Sequence, residues 1–421
     1  MSRLSLPHRI WRLLPASGRR ALFARGTAML APRPDRPPPP PSGGLAIVGE
    51  LSRASGLGEA ARLMGLALDG MGVANWALDV GDRLPGGTAT GRRMDTPPPG
   101  APLLVHVNAP SLPWALLQLP RAVIRGRRVI AYWAWELPVV PDDWRLALPF
   151  VHEIWVLSQF TADAIATILP PRSGIALRVV PIPVAVAPPR PSAMDRGAFG
   201  LPADAVVVLV SFNIASSFAR KNPLAAIAAF RQAFGDRPDR VLVLKVGHTD
   251  YFPGDLAVLR EAAAGAANIR FETRTLPTAD SHALTACADI VLSLHRSEGF
   301  GLVPAEAMLL GRAVVATGWS GNMEFMDADN AALVDFTLIP AHDPRGVFEA
   351  PGAVWADPDA AHAASLLVRL ADEPAERAAL GARGRAMAQR RLGDGALRDA
   401  VQALGLPIST AQDAFAITAR P

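Results

Sequence analysis

The sequence is short of cysteine, lysine, tyrosine and long apolar runs, and each shortage excludes something. A single cysteine in 421 residues, Cys287, rules out a disulfide framework and a cysteine-based structural zinc site. It fits a reducing compartment, and a cytoplasmic protein is expected. The longest apolar runs, such as Val206 to Val210, stop well short of the ~20 residues of a membrane span. The N-terminus also lacks the continuous apolar core of a secretory signal. No spacing of metal ligands is visible, and no metal or other cofactor is expected.

Charge is unevenly spread. Of 42 basic residues only Lys221 and Lys245 are lysines. Seven arginines (Arg3, Arg9, Arg12, Arg19, Arg20, Arg25, Arg33) precede the first acidic residue, Asp35. Removing them from the net +4 leaves the rest of the chain at about −3. A slightly acidic body argues against a nucleic-acid binder.

Length alone suggests two domains of about 150–200 residues each. Residues 1–44 read as a basic, amphipathic lead followed by a proline-rich spacer with five consecutive prolines, Pro37 to Pro41. Two readings of residues 1–30 stand side by side. One is a peripheral contact with anionic membrane; the other is a helix docked on the body. Residues 45–190 and 201–390 each alternate near-continuous apolar strands with helices, the signature of a parallel sheet covered on both faces. Strands are predicted at 45–48, 103–107, 128–132 and 154–157 in the first unit. In the second they fall at 206–212, 240–246, 269–272, 290–294, 313–316 and 331–334. Val186 to Gly200 reads as the interdomain linker, and residues 391–421 as a terminal helix and tail. The expected fold class is α/β, with two Rossmann-like doubly wound domains and ligand at the carboxyl ends of their strands.

The strongest chemical signal runs from Glu298 to Glu306. Gly299, Phe300, Gly301 and Leu302 form a tight loop after an apolar strand, and Pro304 suits the first turn of a helix. Free amides at a helix N-terminus make an anion site. Two glutamates eight residues apart can reach different parts of one ligand, and carboxylates accept well from sugar hydroxyls. A second constellation ends in Arg220-Lys221-Asn222-Pro223, with Asn222 placed to cap a helix. In a chain that otherwise uses arginine, a retained lysine at a strand-to-helix connection is suited to a phosphate. A third, Trp135-Glu136, closes an apolar strand, so both side chains are expected at the cleft; Trp144 and Trp155 are expected in the core.

These residues resemble the retaining, nucleotide-sugar-dependent glycosyltransferases of the GT-B fold, family four. The resemblance covers roughly residues 45–390 and is densest from Ser211 to Met326, including Gly311 to Thr317 and Ser320 to Glu324. It implies that Glu306 binds the ribose of the donor, that Glu298 contacts the donor sugar, and that the amides of Gly299 to Leu302 hold the diphosphate. It places Arg220 and Lys221 at the leaving diphosphate, and Glu136 where many relatives have a histidine, as an acceptor-orienting group or base. Arg274 and Leu276 would contact the nucleobase, and the loop containing Gly58 would face the donor phosphates. One departure is the uncharged stretch Asn213 to Ser216, where related enzymes often carry a further basic residue; Arg220 would compensate. The implied activity is sugar transfer from a nucleotide diphosphate to a glycan or lipid-linked acceptor, with retention. Alternatives are a nucleotide-sugar epimerase or hydrolase on the same scaffold, or a non-catalytic subunit of a glycan assembly complex. A dehydrogenase fits worse, because seven residues separate Val48 from Gly56 where a dinucleotide fingerprint needs almost none.

Overall fold

The computed structural model of the chain describes residues 16–53, 55–81 and 96–408. The expectations for residues 1–15 and for the tail from 409 lie outside the described residues.

Two parallel six-stranded sheets dominate. The first holds β1 (Leu45–Gly49), β2 (Asn75–Asp79), β3 (Leu103–His106), β4 (Val129–Trp133), β5 (Glu153–Val156) and β6 (Ala176–Val179), in the order β2-β1-β3-β4-β5-β6. The second holds β7 (Val206–Asn213), β8 (Arg240–Gly247), β9 (Ile269–Glu272), β10 (Ile290–Ser293), β11 (Ala313–Thr317) and β12 (Ala332–Val334), in the order β12-β11-β10-β7-β8-β9. Each order reverses direction beside its first strand, which opens a crevice at the carboxyl ends where ligands bind. Ten strands lie where the apolar runs predict them. The two additions, β2 and β6, are sheet edges with only one fully buried residue between them, so they carry no continuous apolar run.

Alternation within the strands builds three layers of core. Along β1, Leu45 and Ile47 join a middle cluster, whereas Ala46 and Val48 join the outer cluster of the first domain. Along β7, Val207 and Leu209 join the same middle cluster, and Val208, Val210 and Phe212 the outer cluster of the second. Successive strand side chains point to opposite faces, so strands buried on both must be apolar throughout.

Helix α1 (Ala16–Leu30) docks on the first domain. Phe23 meets Trp114 with ring centroids 5.6 Å apart, and Ala24 and Thr27 are buried. Leu22, Arg25 and Met29 face away. The proline-rich spacer forms no helix or strand and is laid against the body. The Gly126 amide donates to Asp35 at 2.7 Å, Arg36 to the Val151 carbonyl at 3.0 Å, and the Ser42 amide to the Gly100 carbonyl at 3.1 Å. A chain without its own backbone ladder satisfies its polar groups on a neighbour instead.

Five more helices carry the site or close the fold: α2 (Gly56–Gly70), α3 (Gln159–Ala166), α4 (Phe218–Lys221), α5 (Pro223–Phe234) and α6 (Leu302–Leu309). A two-stranded antiparallel hairpin, β13 (Phe336–Pro340) with β14 (Val354–Pro358), follows β12. Helices α7 (Ala360–Asp372), α8 (Pro374–Arg391) and α9 (Gly395–Ala403) end the described chain. α9 is amphipathic and sends Leu397, Ala400 and Val401 into the middle cluster, and the Leu392 carbonyl accepts from the Ala185 amide at 2.8 Å. The end of the chain is thereby stitched to the segment that leaves the first domain.

Leu397 is fully enclosed, so Leu397→Ala should cost about 3 kcal/mol in denaturant unfolding. A substitution without effect would mean that α9 is a loose appendage.

Candidate active site

A cavity of about 440 Å³ lies between the domains. β7 delivers Ser211 and Asn213 to it, and β10 delivers Ser293. From the first domain come Glu50 after β1, Asn108 after β3 and Glu136 after β4. All of these sit at the carboxyl ends of strands or just beyond them.

The floor is a three-residue charge cluster. Glu298 pairs with Lys221 through Oε1 and with Arg220 through Oε2, the latter at 3.1 Å. Burial alone would raise the Glu298 carboxyl, but Lys221 and Arg220, helped by His295, outweigh it and hold it at about 2. Burial lowers the Lys221 ammonium, and Glu298 pulls it back up. Arg220 is almost wholly enclosed and also donates to the carbonyls of Ser297, at 2.7 Å, and Ser216, at 2.9 Å. Both terminal nitrogens of the guanidinium are thus paired, as a buried charge requires, while its Nε has no partner.

Helix α4 presents both cations. The Ser217 hydroxyl accepts from the Arg220 amide at 3.2 Å and so caps its first turn. Asn222 does stand between α4 and α5, but its side chain makes no cap bond. It adopts a left-handed conformation (φ 49°) that ends one helix and starts the next, a role asparagine tolerates better than most residues.

The glycine loop is braced from behind. The Glu298 amide donates to Ser320 Oγ at 2.9 Å, and the Gly321 amide to the Glu298 carbonyl at 2.8 Å. A Cβ on Gly321 would lie 1.9 Å from the Gly299 carbonyl oxygen, so only glycine fits. Asn322 ties this turn to His295 at 3.0 Å and to the Thr317 carbonyl at 3.0 Å. Gly299 to Leu302 line the cavity, with Gly301 capping α6.

The first domain is shut against this loop. Ser158 Oγ donates to the Gly299 carbonyl at 2.7 Å, and Ser297 Oγ donates to the Glu136 carbonyl. The Gln159 amide at the start of α3 donates to Glu324 at 2.8 Å. Burial pushes the Glu136 carboxyl up while Arg220 opposes it and Glu298 reinforces it.

Of the residues singled out in the sequence, Arg220, Lys221, Glu298, Gly299, Phe300, Gly301, Leu302 and Glu136 line one cavity. Four do not. Gly58 is used for close approach, since a Cβ there would lie 2.5 Å from the Glu50 carbonyl oxygen. Arg274 pairs with Glu272, and its carbonyl takes the Lys245 ammonium at 2.9 Å. Leu276 packs against the middle core cluster. Glu306 lies further along α6, where burial and then Glu59 of the other domain push its carboxyl up to about 7. Trp135 is also expected at the cleft but is buried against Trp144 and Phe348; only its neighbour Glu136 reaches the cavity. Trp144 and Trp155 are core residues.

Sequence reasoning missed Glu50. It lines the cavity and accepts from Ser55 Oγ at 2.9 Å. Its position directly after β1 was the available signal, because ligands gather at strand carboxyl ends.

Residues 207–357 match a family profile described as "Glycosyl transferases group 1". That match lies within the second domain and takes in the cation pair and the glycine loop. No curated protein matches the chain. Among solved structures, the HepE protein of Anabaena in complex with UDP-glucose is 17% identical, covering 86% of this chain and 99% of that one, with a TM-score of 0.58. Sucrose-phosphate synthase from Thermosynechococcus elongatus is 17% identical, covering 85% and 98%, with a TM-score of 0.59. A glycosyltransferase from Rickettsia africae is 11% identical, covering 86% and 98%, also with a TM-score of 0.59. At such identities the likeness shows the fold, and that fold is GT-B: two doubly wound domains facing across a cleft. The second domain supplies the cation pair and the glycine loop, and the first domain supplies Glu50, Asn108 and Glu136.

Glu306 makes a pH prediction. Its carboxyl is raised in the folded chain, so the folded state holds a proton that the unfolded state releases above about pH 4.5. Its contribution to stability is therefore present at low pH and is lost as pH rises through about 7. Glu306→Gln should raise the melting temperature at pH 8 and leave it nearly unchanged at pH 4. A gain of equal size at both values would contradict the assignment.

Proposed function

We propose that the protein is a retaining glycosyltransferase of family four that moves a sugar from a nucleotide diphosphate to an acceptor hydroxyl. The observation that carries this reading is the convergence of Arg220, Lys221 and the Gly299–Leu302 loop on one face of an interdomain cavity, with Glu136 on the other.

The diphosphate would lie on Lys221, Arg220 and the loop amides. Glu298 pairs with both cations, and a diphosphate would take its place as their counter-charge. That frees the Glu298 carboxylate to accept from hydroxyls of the donor sugar. As the glycosidic bond to phosphate breaks, negative charge grows on the diphosphate, where fixed cations and amides stabilise it most. Glu136 orients the acceptor hydroxyl, whose proton passes to an oxygen of the departing phosphate. Glu306 would take the ribose hydroxyls once the cleft has opened to admit a nucleotide, with Arg274 and Leu276 at the base and Gly58 shaping the loop opposite. The closed cleft excludes water and so protects the donor from hydrolysis.

UDP-glucose is the natural first donor probe, since it is what HepE binds. Lys221→Ala should lower turnover about a hundredfold. The product should keep the anomeric configuration of the donor by NMR. An inverted product would overturn retention, and sugar released equally fast without an acceptor would favour a hydrolase.

The acceptor reading is a glycan or lipid-linked glycan in polysaccharide synthesis, met at the cytoplasmic face of a membrane. The support is α1, which docks by one face and turns Leu22, Arg25 and Met29 outward, together with the five arginines that the sequence carries in residues 1–20. Each basic residue near an anionic surface adds about 1 kcal/mol. Among the described residues no helix is long and apolar enough to cross a membrane, so the contact would be peripheral. Flotation with vesicles containing anionic phospholipid should recover the protein, and Leu22→Glu with Met29→Glu should abolish recovery. Undiminished flotation of that double variant would remove the α1 contact.

A further inference from the structure

Between β13 and β14 runs an extended segment, residues 341–353, that belongs to the second domain but reaches the first. Phe348 sits at its tip and is 7% exposed. One face of its ring stacks on Trp135 of the first domain, with centroids 5.7 Å apart and planes at 29°. The Arg220 guanidinium lies 4.7 Å from the same ring. A single side chain thus touches both the residue before Glu136 and a cation of the site.

The base of the segment is fixed just as firmly. Asp343 is 1% exposed and accepts from the amides of Val347 and Phe348, each at 3.1 Å, which turns the chain toward Trp135. It also accepts from the Ser217 hydroxyl at 3.1 Å. Ser217 has φ 75°, a conformation an L side chain rarely adopts, and its oxygen caps the Arg220 amide. With its hydrogen committed to Asp343, the Ser217 oxygen turns its lone pairs to that amide. Arg345 anchors the segment further through the Ile214 carbonyl at 2.7 Å and the carboxylate of Asp255.

We propose that residues 341–353 form a clasp that couples domain closure to the cations of the site, with Phe348 and Asp343 as positioning residues for Arg220 and Lys221. When the domains part, Trp135 leaves Phe348, and Arg220 keeps its aromatic face only on an exposed ring. When they close, the ring is enclosed, and the guanidinium is held where Glu298, or a diphosphate in its place, meets it. The role assigned to the two cations rests on the proposed glycosyltransfer; the mechanical coupling does not.

Amide hydrogen exchange of the full, ligand-free chain tests the coupling. Phe348→Leu keeps apolar volume and loses both ring contacts. It should speed exchange about tenfold at residues 134–138 in one domain and at 217–222 in the other, as expected for local opening. Trp135→Leu, altered in the first domain only, should speed exchange at 217–222 in the second. Asp343→Ala should do the same at 217–222. Asp343→Asn should restore most protection, because it keeps an oxygen for the two amides and the serine can accept its NH₂. Calorimetry with UDP as the probe should show about tenfold weaker binding for Phe348→Leu, near 1.4 kcal/mol. Wild-type protein that ignores UDP would strike at the donor reading and leave the exchange result standing. Effects confined to the domain carrying the substitution, for both Phe348→Leu and Trp135→Leu, would overturn the clasp.

Discussion

Glu298 is the interaction on which the site is built. A carboxylate removed from water is costly, and it stays ionised here only because a guanidinium and an ammonium sit against it. Each of those cations then needs its own support. Arg220 finds it in the carbonyls of Ser297 and Ser216 and in the Phe348 ring. The Glu298 backbone is gripped in turn by Ser320 and Gly321. The residues around the glycine loop are thus successive layers of support for one buried charge. For the proposed glycosyltransfer, two cations fixed in this way would stabilise a leaving diphosphate without reorganisation.

The second constraint is the shared middle core. Leu45 and Ile47 of the first sheet belong to the same apolar cluster as Val207 and Leu209 of the second, and the cluster is closed by α9. Domains joined in this way cannot drift apart freely. Beyond that core the domains meet through the Trp135–Phe348 and Phe160–Trp319 ring contacts and through hydrogen bonds from Ser158 to Gly299, Gln159 to Glu324 and Ser297 to Glu136. Such hydrogen bonds exchange with water at small net cost, whereas parting the core would not.

Glu306 shows the tension between folding and function in one side chain. Burial and Glu59 push its carboxyl up to about 7, so near neutrality it destabilises the chain that carries it. Under the proposed glycosyltransfer, this local cost would fall on a residue kept for the donor.

Ten of the twelve strands of the two parallel sheets were legible in the sequence because strands buried on both faces must be apolar at every position, as Val206 to Val210 and Leu103 to Val105 are, whereas the hairpin strands β13 and β14, of mixed burial, were not. The edges β2 and β6 were not, since an edge of mixed burial has no such run. Glu298, Lys221 and the glycine loop were legible because their chemistry is local: a tight turn, a helix start, a rare lysine. Trp135 was misplaced because an aromatic side chain after a strand can turn into the core or into the cleft, and only packing against Trp144 and Phe348 decided which. The same holds for the clasp. Asp343 and Ser217 are 126 residues apart, and no local pattern in either segment announces their bond. The sequence by itself determined the interior strands of the sheets, the charge-bearing residues and the tight glycine loop, because these follow from periodicity and backbone geometry within a few residues. The tertiary structure alone decided which carboxylates face the cavity, which cation is enclosed and what holds the domains shut, because those depend on side chains meeting across the fold.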